Sequence, residues 1–555
     1  MDIDTAEIII MYNQKITHLI QEARENHRQN KLEDAISCIN IALEEDVNIA
    51  ELYRIRAIIY SGGHQWGNAI KSYQSALSID PQLESCWQGM IAAWQMQGNY
   101  SEALNVCDQA LLECPTAEMY FNKGCLLMQL GHFEKACECF LSVLKLNPTF
   151  TDAWCNLAAS QVTFSKHELA EKYFLKALSI QPNHESALSG LCGLYNLMGE
   201  FEKSLKYLEG NTELEYLSPP LTLVYCESLF LKGNEISAYE HLKQLIKSIH
   251  HLPGDLASQV FYQAAKYCDK LQKFAEAIEY AGKANHYNLL TYNDNQISNR
   301  FNRIRKYILN QSEQKVSQRK IIFIVGLPRS GTSLCEQIFA SHPDIHPLGE
   351  YKGLPLCVEE LLKEDNSSVE NSLVEHYTKD LPQPDDNSGI LTDKMWMNFE
   401  SLGVIEKLFP LAKIIHCTRD IRDIALSCYF QSFAGVGPTF TYNKDHFCLY
   451  YKQYLQQMKY WKSHCKLPLL EWNYEALIQG DEQDRALMIR SLIEFAEIDW
   501  NENCLNFYTN QRVVTTASVH QVNKKIYKNS NQRFKNYQPW LVDWFDALQK
   551  IQNEN

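Results

Sequence analysis

No stretch of the 555-residue sequence runs for about 18 apolar residues without interruption, the length a membrane helix needs, so no membrane span is expected. The opening MDIDTAEIII carries acids where a secretory leader carries Lys or Arg, and a cytoplasmic protein is expected. Positive charge is in deficit, with 52 Lys and Arg against 67 Asp and Glu, a net charge of −15. That balance argues against a general nucleic-acid or anionic-membrane binder and still permits a local basic pocket. Eighteen cysteines occur, yet none forms a C-x-x-C pair, and Cys137 and Cys139 fall within a helical pattern. Reduced core thiols and no metal site are therefore expected. At 45% hydrophobic and 21% charged residues the chain reads as globular.

Up to about residue 285 the sequence repeats itself. Ala35, Ala69, Ala103, Ala136, Ala170 and Ser204 follow one another at intervals of 34, 34, 33, 34 and 34. Pro81, Pro115, Pro148 and Pro182 close successive units, and Trp87 and Trp154 stand early in the first helix of theirs. This is the period of tetratricopeptide repeats, in which a small residue lets two helices approach and proline ends the second. Residues 221–250 and 258–283, with Ala238 and Ala277, read as further, degraded units. Stacked pairs of this kind make an all-α superhelix whose concave face suits a peptide or protein partner.

Residues 286–317 read as a connector around one basic helix, Arg300 to Leu309. Its basic face could seal against a neighbouring domain, but a solvated face is the expectation. From 318 to 555 apolar bursts at 321–325, 413–416 and 468–471 alternate with turns and helical sequence, the pattern of a parallel sheet flanked by helices. Ligands of such sheets sit beyond the carboxyl ends of the strands.

One of those bursts leads into the stretch that organises the chain, IIFIVGLPRSGTSLC at 321–335. Gly326 and Gly331 have the spacing of a Walker A phosphate loop, where backbone N–H groups converge on an anion at a helix N-terminus. The Walker lysine is replaced by Thr332, and Arg329 is the fixed charge within the loop. The string GLPRSGTS resembles the 5′-phosphosulfate loop of sulfotransferases that use 3′-phosphoadenosine 5′-phosphosulfate (PAPS). It is most similar to tyrosylprotein sulfotransferases and to bacterial chains that join tetratricopeptide repeats to a sulfotransferase domain.

The resemblance implies a P-loop-like α/β sulfotransferase domain with PAPS as co-substrate. Arg329, Ser330, Gly331, Thr332 and Ser333 would then hold the 5′-phosphosulfate. Glu350, in DIHPLGE, stands where the family has its catalytic base; His342 and His346 are rivals, since other sulfotransferases use histidine. Lys394, in LTDKMWMN, would stabilise the leaving oxygen. Arg419 and Ser427, eight residues apart in AKIIHCTRDIRDIALSCY, match the pair that grips the 3′-phosphate, with Arg422 an alternative and Asp420 and Asp423 available as structural partners. EWNYEALI resembles the family's Y-E-x-L stretch, in which Tyr474 and Glu475 are either ligands or packing and capping residues. Ser518, Gln521, Val522 and Arg533 fall at the matching intervals of the C-terminal segment that closes over the adenosine. The sequence departs from the tyrosylprotein enzymes at Tyr351 and Lys352, where those have threonine and a substrate-positioning arginine. The acceptor therefore stays open among a peptide or protein tyrosine and another hydroxyl compound. A nucleotide-dependent kinase-like protein and a non-catalytic repeat scaffold are the competing readings.

Overall fold

The computed structural model describes residues 4–211, 217–288, 292–309, 316–363, 373–379, 381, 389–433, 437–510 and 532–555. Two compact units, Met1–Tyr216 and Leu217–Asn555, divide the chain.

The first unit is a run of helical hairpins. Its helices are α1 (Asp4–Arg28), α2 (Leu32–Glu45), α3 (Ala50–Gly62), α4 (Trp66–Ile79), α5 (Glu84–Met96), α6 (Tyr100–Glu113), α7 (Ala117–Gln129), α8 (Phe133–Leu146), α9 (Thr151–Thr163), α10 (His167–Ile180), α11 (Glu185–Leu197) and α12 (Phe201–Asn211). The periodic small residues Ala35, Ala69, Ala103, Ala136, Ala170 and Ser204 each lie on the second helix of a pair and are fully buried. A larger side chain there would push the paired helices apart. The early tryptophans tie units together: the indole N–H of Trp87 donates to the carbonyl of Pro81 at 2.8 Å, and that of Trp154 to Pro148 at 3.0 Å. Charge is unevenly shared. Residues 1–216 contain 28 Asp and Glu against 15 Lys and Arg, while 217–555 contain 39 against 37.

The second unit begins with two more hairpins, α13 (Pro219–Leu231) with α14 (Glu235–Lys247) and α15 (Gly254–Lys270) with α16 (Phe274–His286), in which Ala238 and Ala277 keep the buried small-residue position. Next comes α17 (Asp294–Leu309). Its basic face is engaged, contrary to the expectation of a solvated one. Arg300 pairs with Glu400 at 2.8 Å and with Glu359 at 2.5 Å, Arg303 donates to the carbonyl of Leu362, and Arg305 donates to Gln457 at 2.6 Å. Glu400 is 5% exposed and so requires a partner cation, which sequence charge alone does not reveal.

A five-stranded parallel sheet follows, formed by β1 (Ile321–Val325), β2 (Ile345–Pro347), β3 (Ile390–Asp393), β4 (Lys413–Thr418) and β5 (Leu469–Asn473) in the order β2-β3-β1-β4-β5. All five residues of β1, the central strand, are buried, which accounts for its unbroken apolar run. Around the sheet lie α18 (Thr332–Phe339), α19 (Gly353–Lys363), α20 (Leu373–Thr378), α21 (Leu402–Leu408), α22 (Ile421–Tyr429), α23 (Lys444–His464), α24 (Tyr474–Gln479), α25 (Glu482–Ala496) and α26 (Gln538–Glu554). No described helix is long and apolar enough to cross a membrane.

Candidate active site

Parallel strands deliver their carboxyl ends to one edge of the sheet, and the chemistry-bearing residues stand immediately after them. The glycine loop 326–331 follows β1, Glu350 comes shortly after β2, Lys394 follows β3, Arg419 follows β4 and Tyr474 follows β5.

The loop's path depends on its glycines. Gly326 has φ +152° and Gly331 φ +106°, and a Cβ on Gly331 would stand 2.9 Å from the Tyr474 ring. Gly331 caps α18 without a side-chain bond, so the helix opens on the backbone N–H groups of Thr332 and Ser333. Arg329 itself takes a left-handed φ of +72°, a strained position that functional loops retain. The Ser330 hydroxyl is buried with no hydrogen-bond partner among the described residues. A left-handed loop ending on a helix N-terminus, with a buried hydroxyl awaiting a partner, fits a phosphate or sulfonate group.

Cations gather beside it. Arg329 Nε donates to Ser427 Oγ at 2.9 Å, and Arg419 Nη1 donates to the Arg329 carbonyl at 3.2 Å. The Arg329 guanidinium thus joins Arg419 and Ser427, the pair that the resemblance assigns to the 3′-phosphate. Burial, then repulsion from Arg419 and Arg533, pull Arg329 below the ordinary arginine range. Such a cluster of like charges is relieved by an anion. Tyr474 walls it, with its ring against Gly331 and 4.6 Å from the Arg419 guanidinium. Arg422 is instead held by Asp420 through Nε at 2.9 Å and Nη2 at 2.6 Å, and it lies over Phe534. Asp423 accepts from the backbone N–H groups of Gln532 at 2.7 Å and Phe534 at 2.9 Å. These two acids are therefore structural partners.

On the other side of β1 the two proposed catalytic groups touch. Lys394, 1% exposed, donates from Nζ to Glu350 Oε1 at 2.9 Å, while Glu350 is 40% exposed. The backbone registers them too, since Lys394 N–H donates to the Gly349 carbonyl at 2.9 Å. Beneath this pair the buried Glu336 of α18 accepts from Gly349 N–H at 2.9 Å and from the Thr392 hydroxyl at 3.3 Å. Asp393 accepts from Tyr377 OH at 2.8 Å, Met395 N–H at 3.0 Å and Asn398 Nδ2 at 2.9 Å. Burial outweighs those donors and raises the Asp393 carboxyl to about 7. His342 has both ring nitrogens engaged: Nδ1 accepts from Asp344 N–H at 3.2 Å, so Nε2 is left to donate to the Asp499 carbonyl at 2.8 Å. His346 is exposed on β2, against Gly389. Of the three candidate bases, Glu350 is the one in contact with Lys394.

Arg533 is described, in the turn Arg533–Tyr537, where it pairs with Asp269 of α15 through Nη2 at 3.1 Å and Nε at 3.3 Å. Ser518, Gln521 and Val522 lie outside the described residues. No sequence motif singles out the roles of Glu336 or Asp269, and Glu475 of EWNYEALI takes the capping role. Glu475 accepts from Asp420 N–H at 2.9 Å and holds the turn after β4. Each acts on backbone or on a distant partner, and residue spacing carries no signal of that. No group of three or more His, Cys, Asp or Glu placed to hold a metal occurs among the described residues.

A loop of this type at the end of a central parallel strand, with an arginine from a second strand end beside it, defines an α/β domain with a cationic cluster at the carboxyl edge of its sheet. The comparisons narrow the class: residues 322–502 match the sulfotransferase family, and residues 117–150 and 151–184 match the tetratricopeptide repeat. The chain therefore joins tetratricopeptide repeats to a sulfotransferase-family domain. It is similar to an uncharacterized protein of Aquifex aeolicus, 30% identical over 251 residues, 42% of this chain and 32% of the relative. It is also similar to the protein-tyrosine sulfotransferase of Drosophila melanogaster, 22% identical over 262 residues, 43% of this chain and 51% of that protein. The chain thus spans about a third of the first relative and half of the second. A solved tetratricopeptide repeat protein from Parabacteroides merdae aligns with 42% of this chain and 92% of its own at 19% identity and a TM-score of 0.35, too loose a likeness to carry an argument.

Proposed function

We propose that the protein is a PAPS-dependent sulfotransferase, moving a sulfuryl group to an acceptor hydroxyl. The observation that carries this reading is the arginine cluster at the glycine loop combined with the Lys394–Glu350 contact at the adjoining strand end. The donor supplies an activated sulfur–oxygen bond. The loop N–H groups with Ser330, Thr332 and Ser333 bind its 5′ end, and Arg329, Arg419 and Ser427 bind the 3′-phosphate that distinguishes it from ATP. Lys394 has three N–H donors and commits one to Glu350, which leaves two for the oxygen that takes up charge as the sulfur–oxygen bond breaks. Glu350 accepts the acceptor's proton as the new bond to sulfur forms. The acceptor keeps its oxygen and gains the sulfuryl group, and 3′-phosphoadenosine 5′-phosphate leaves. Metal is not called for, because side-chain cations supply the charge stabilisation.

In this reading the repeats recruit the acceptor or a partner protein. The acid excess of residues 1–216 favours a basic partner surface. The test is incubation with sulfur-labelled PAPS and three acceptors in parallel: a tyrosyl peptide, an oligosaccharide and a simple phenol. Label transferred to one class by the wild type and lost in Glu350→Ala, with donor binding intact, supports the assignment. Full-rate transfer by Glu350→Ala would remove that residue as the base.

A further inference from the structure

The hairpin of α15 and α16 is joined to α22 and to the Arg533–Tyr537 turn. Asp269 stands near the end of α15, outside the residues that match the sulfotransferase family. Its carboxylate holds Arg533 through Nη2 and Nε and also accepts from Tyr537 OH at 2.5 Å. Arg533 packs over the rings of Phe430 and Tyr537, 4.8 and 5.6 Å from their centroids. Those contacts fix the plane of the guanidinium and use two of its three nitrogens. The same hairpin reaches α22, which carries Ser427: Tyr262 OH donates to Asn285 Oδ1 at 2.5 Å, and Asn285 Nδ2 donates to the Tyr429 carbonyl at 3.0 Å. The positive charge of Arg533 also disfavours the charged form of the loop arginine. Asp423, next to Arg419, pins the flanking residues Gln532 and Phe534.

Resting on the donor reading above, we propose that Asp269 is a positioning residue of the donor site. It is supplied by a repeat helix and orients the Arg533 guanidinium so that its remaining nitrogen serves the donor's anionic groups. Arg533 is then one member of a cation cluster with Arg329 and Arg419, and its aim is set from outside the sulfotransferase-family segment. The repeats are thereby coupled to donor binding and not to acceptor recruitment alone.

The experiment is calorimetric titration of the full-length protein with 3′-phosphoadenosine 5′-phosphate, for the wild type, Asp269→Asn, Asp269→Glu, Arg533→Gln and the Asp269→Asn/Arg533→Gln double variant. Asp269→Asn is expected to weaken binding about tenfold, the scale at which outer-shell orienting groups act. Asp269→Glu is expected to restore most of that loss, and the double variant to bind no more weakly than Arg533→Gln, because the two residues act as one unit. Thermal unfolding of each variant accompanies the titration. If Asp269→Asn does not fold, Arg533→Gln leaves Asp269 bonded to Tyr537 and must show the loss by itself. Unchanged or tighter binding by a folded Asp269→Asn, or unchanged binding by Arg533→Gln, overturns the proposal while the donor reading stands. A wild type that does not bind the nucleotide overturns the donor reading and this inference with it.

Discussion

In the proposed reaction Lys394 is the side chain on which the chemistry turns. A lysine that is 1% exposed is retained at a considerable desolvation cost, and its pairing with Glu350 offsets that cost while leaving two donors for substrate. Lys394→Ala is expected to lower the transfer rate by about 10²–10³-fold, with smaller change in nucleotide affinity, since its charge matters most as the leaving oxygen becomes negative. Single-turnover transfer and calorimetry on the same variant separate the two effects. Asp393 gives a pH signature. Its carboxyl, raised to about 7 chiefly by burial, stays protonated in the folded chain where an unfolded aspartate, with a pKa of about 3.9, has lost its proton. Stability contributed by the protonated form is therefore full at low pH, falls as pH rises through that window, and levels off above about pH 7. Asp393→Asn should flatten this slope in denaturant unfolding; an unaltered slope would assign the dependence to another group. Lys394 and Glu350 were both legible in the sequence through the motifs around them. Their mutual contact was not, because it joins two residues, 44 apart in the chain, that follow different strands.

Among the elements, the loop between β1 and α18 was the most readable, since glycine spacing reflects backbone conformation directly. Gly331→Ala brings a Cβ to 2.9 Å from the Tyr474 ring at φ +106°. It is expected to destabilise the fold by about 1–3 kcal/mol and to abolish nucleotide binding, both measurable on one preparation. Helix α17 departs from the solvated face its sequence suggests, and for a physical reason. Its arginines look solvated in sequence, whereas the acid that pairs with Arg300, Glu400, is 100 residues away. Arg300→Ala leaves that carboxylate buried without its cation and should destabilise the second unit by about 3 kcal/mol, with recovery on adding Glu400→Gln. Loss below about 0.5 kcal/mol in chemical unfolding would show the pair to be as weak as an exposed one. Strands β1, β4 and β5 coincide with the apolar bursts at 321–325, 413–416 and 468–471. Strands β2 and β3, at three and four residues, are too short to show a pattern, and it is the sheet's pairing that defines them.

At the scale of the molecule, the repeat ruler predicts helical hairpins from 34-residue spacing alone; Ala238 extends it past the end of the first compact unit, and Ala277 repeats the small residue after a longer interval. Sequence periodicity marks the repeats as one series, while packing assigns the last two hairpins to the unit that contains the sheet. Removing residues 1–216 should therefore leave nucleotide binding within about twofold, whereas removal through residue 285 takes away Asp269 and Asn285 and should abolish it. Equal binding by both truncated chains would contradict a role for the last hairpin. The most direct measurement of the central claim is titration of the purified protein with 3′-phosphoadenosine 5′-phosphate beside ADP and ATP with Mg²⁺. Tight binding of the bisphosphate without metal, lost in Arg419→Ala, is the predicted result. Absence of binding, or a preference for ATP with Mg²⁺, would contradict the sulfotransferase account.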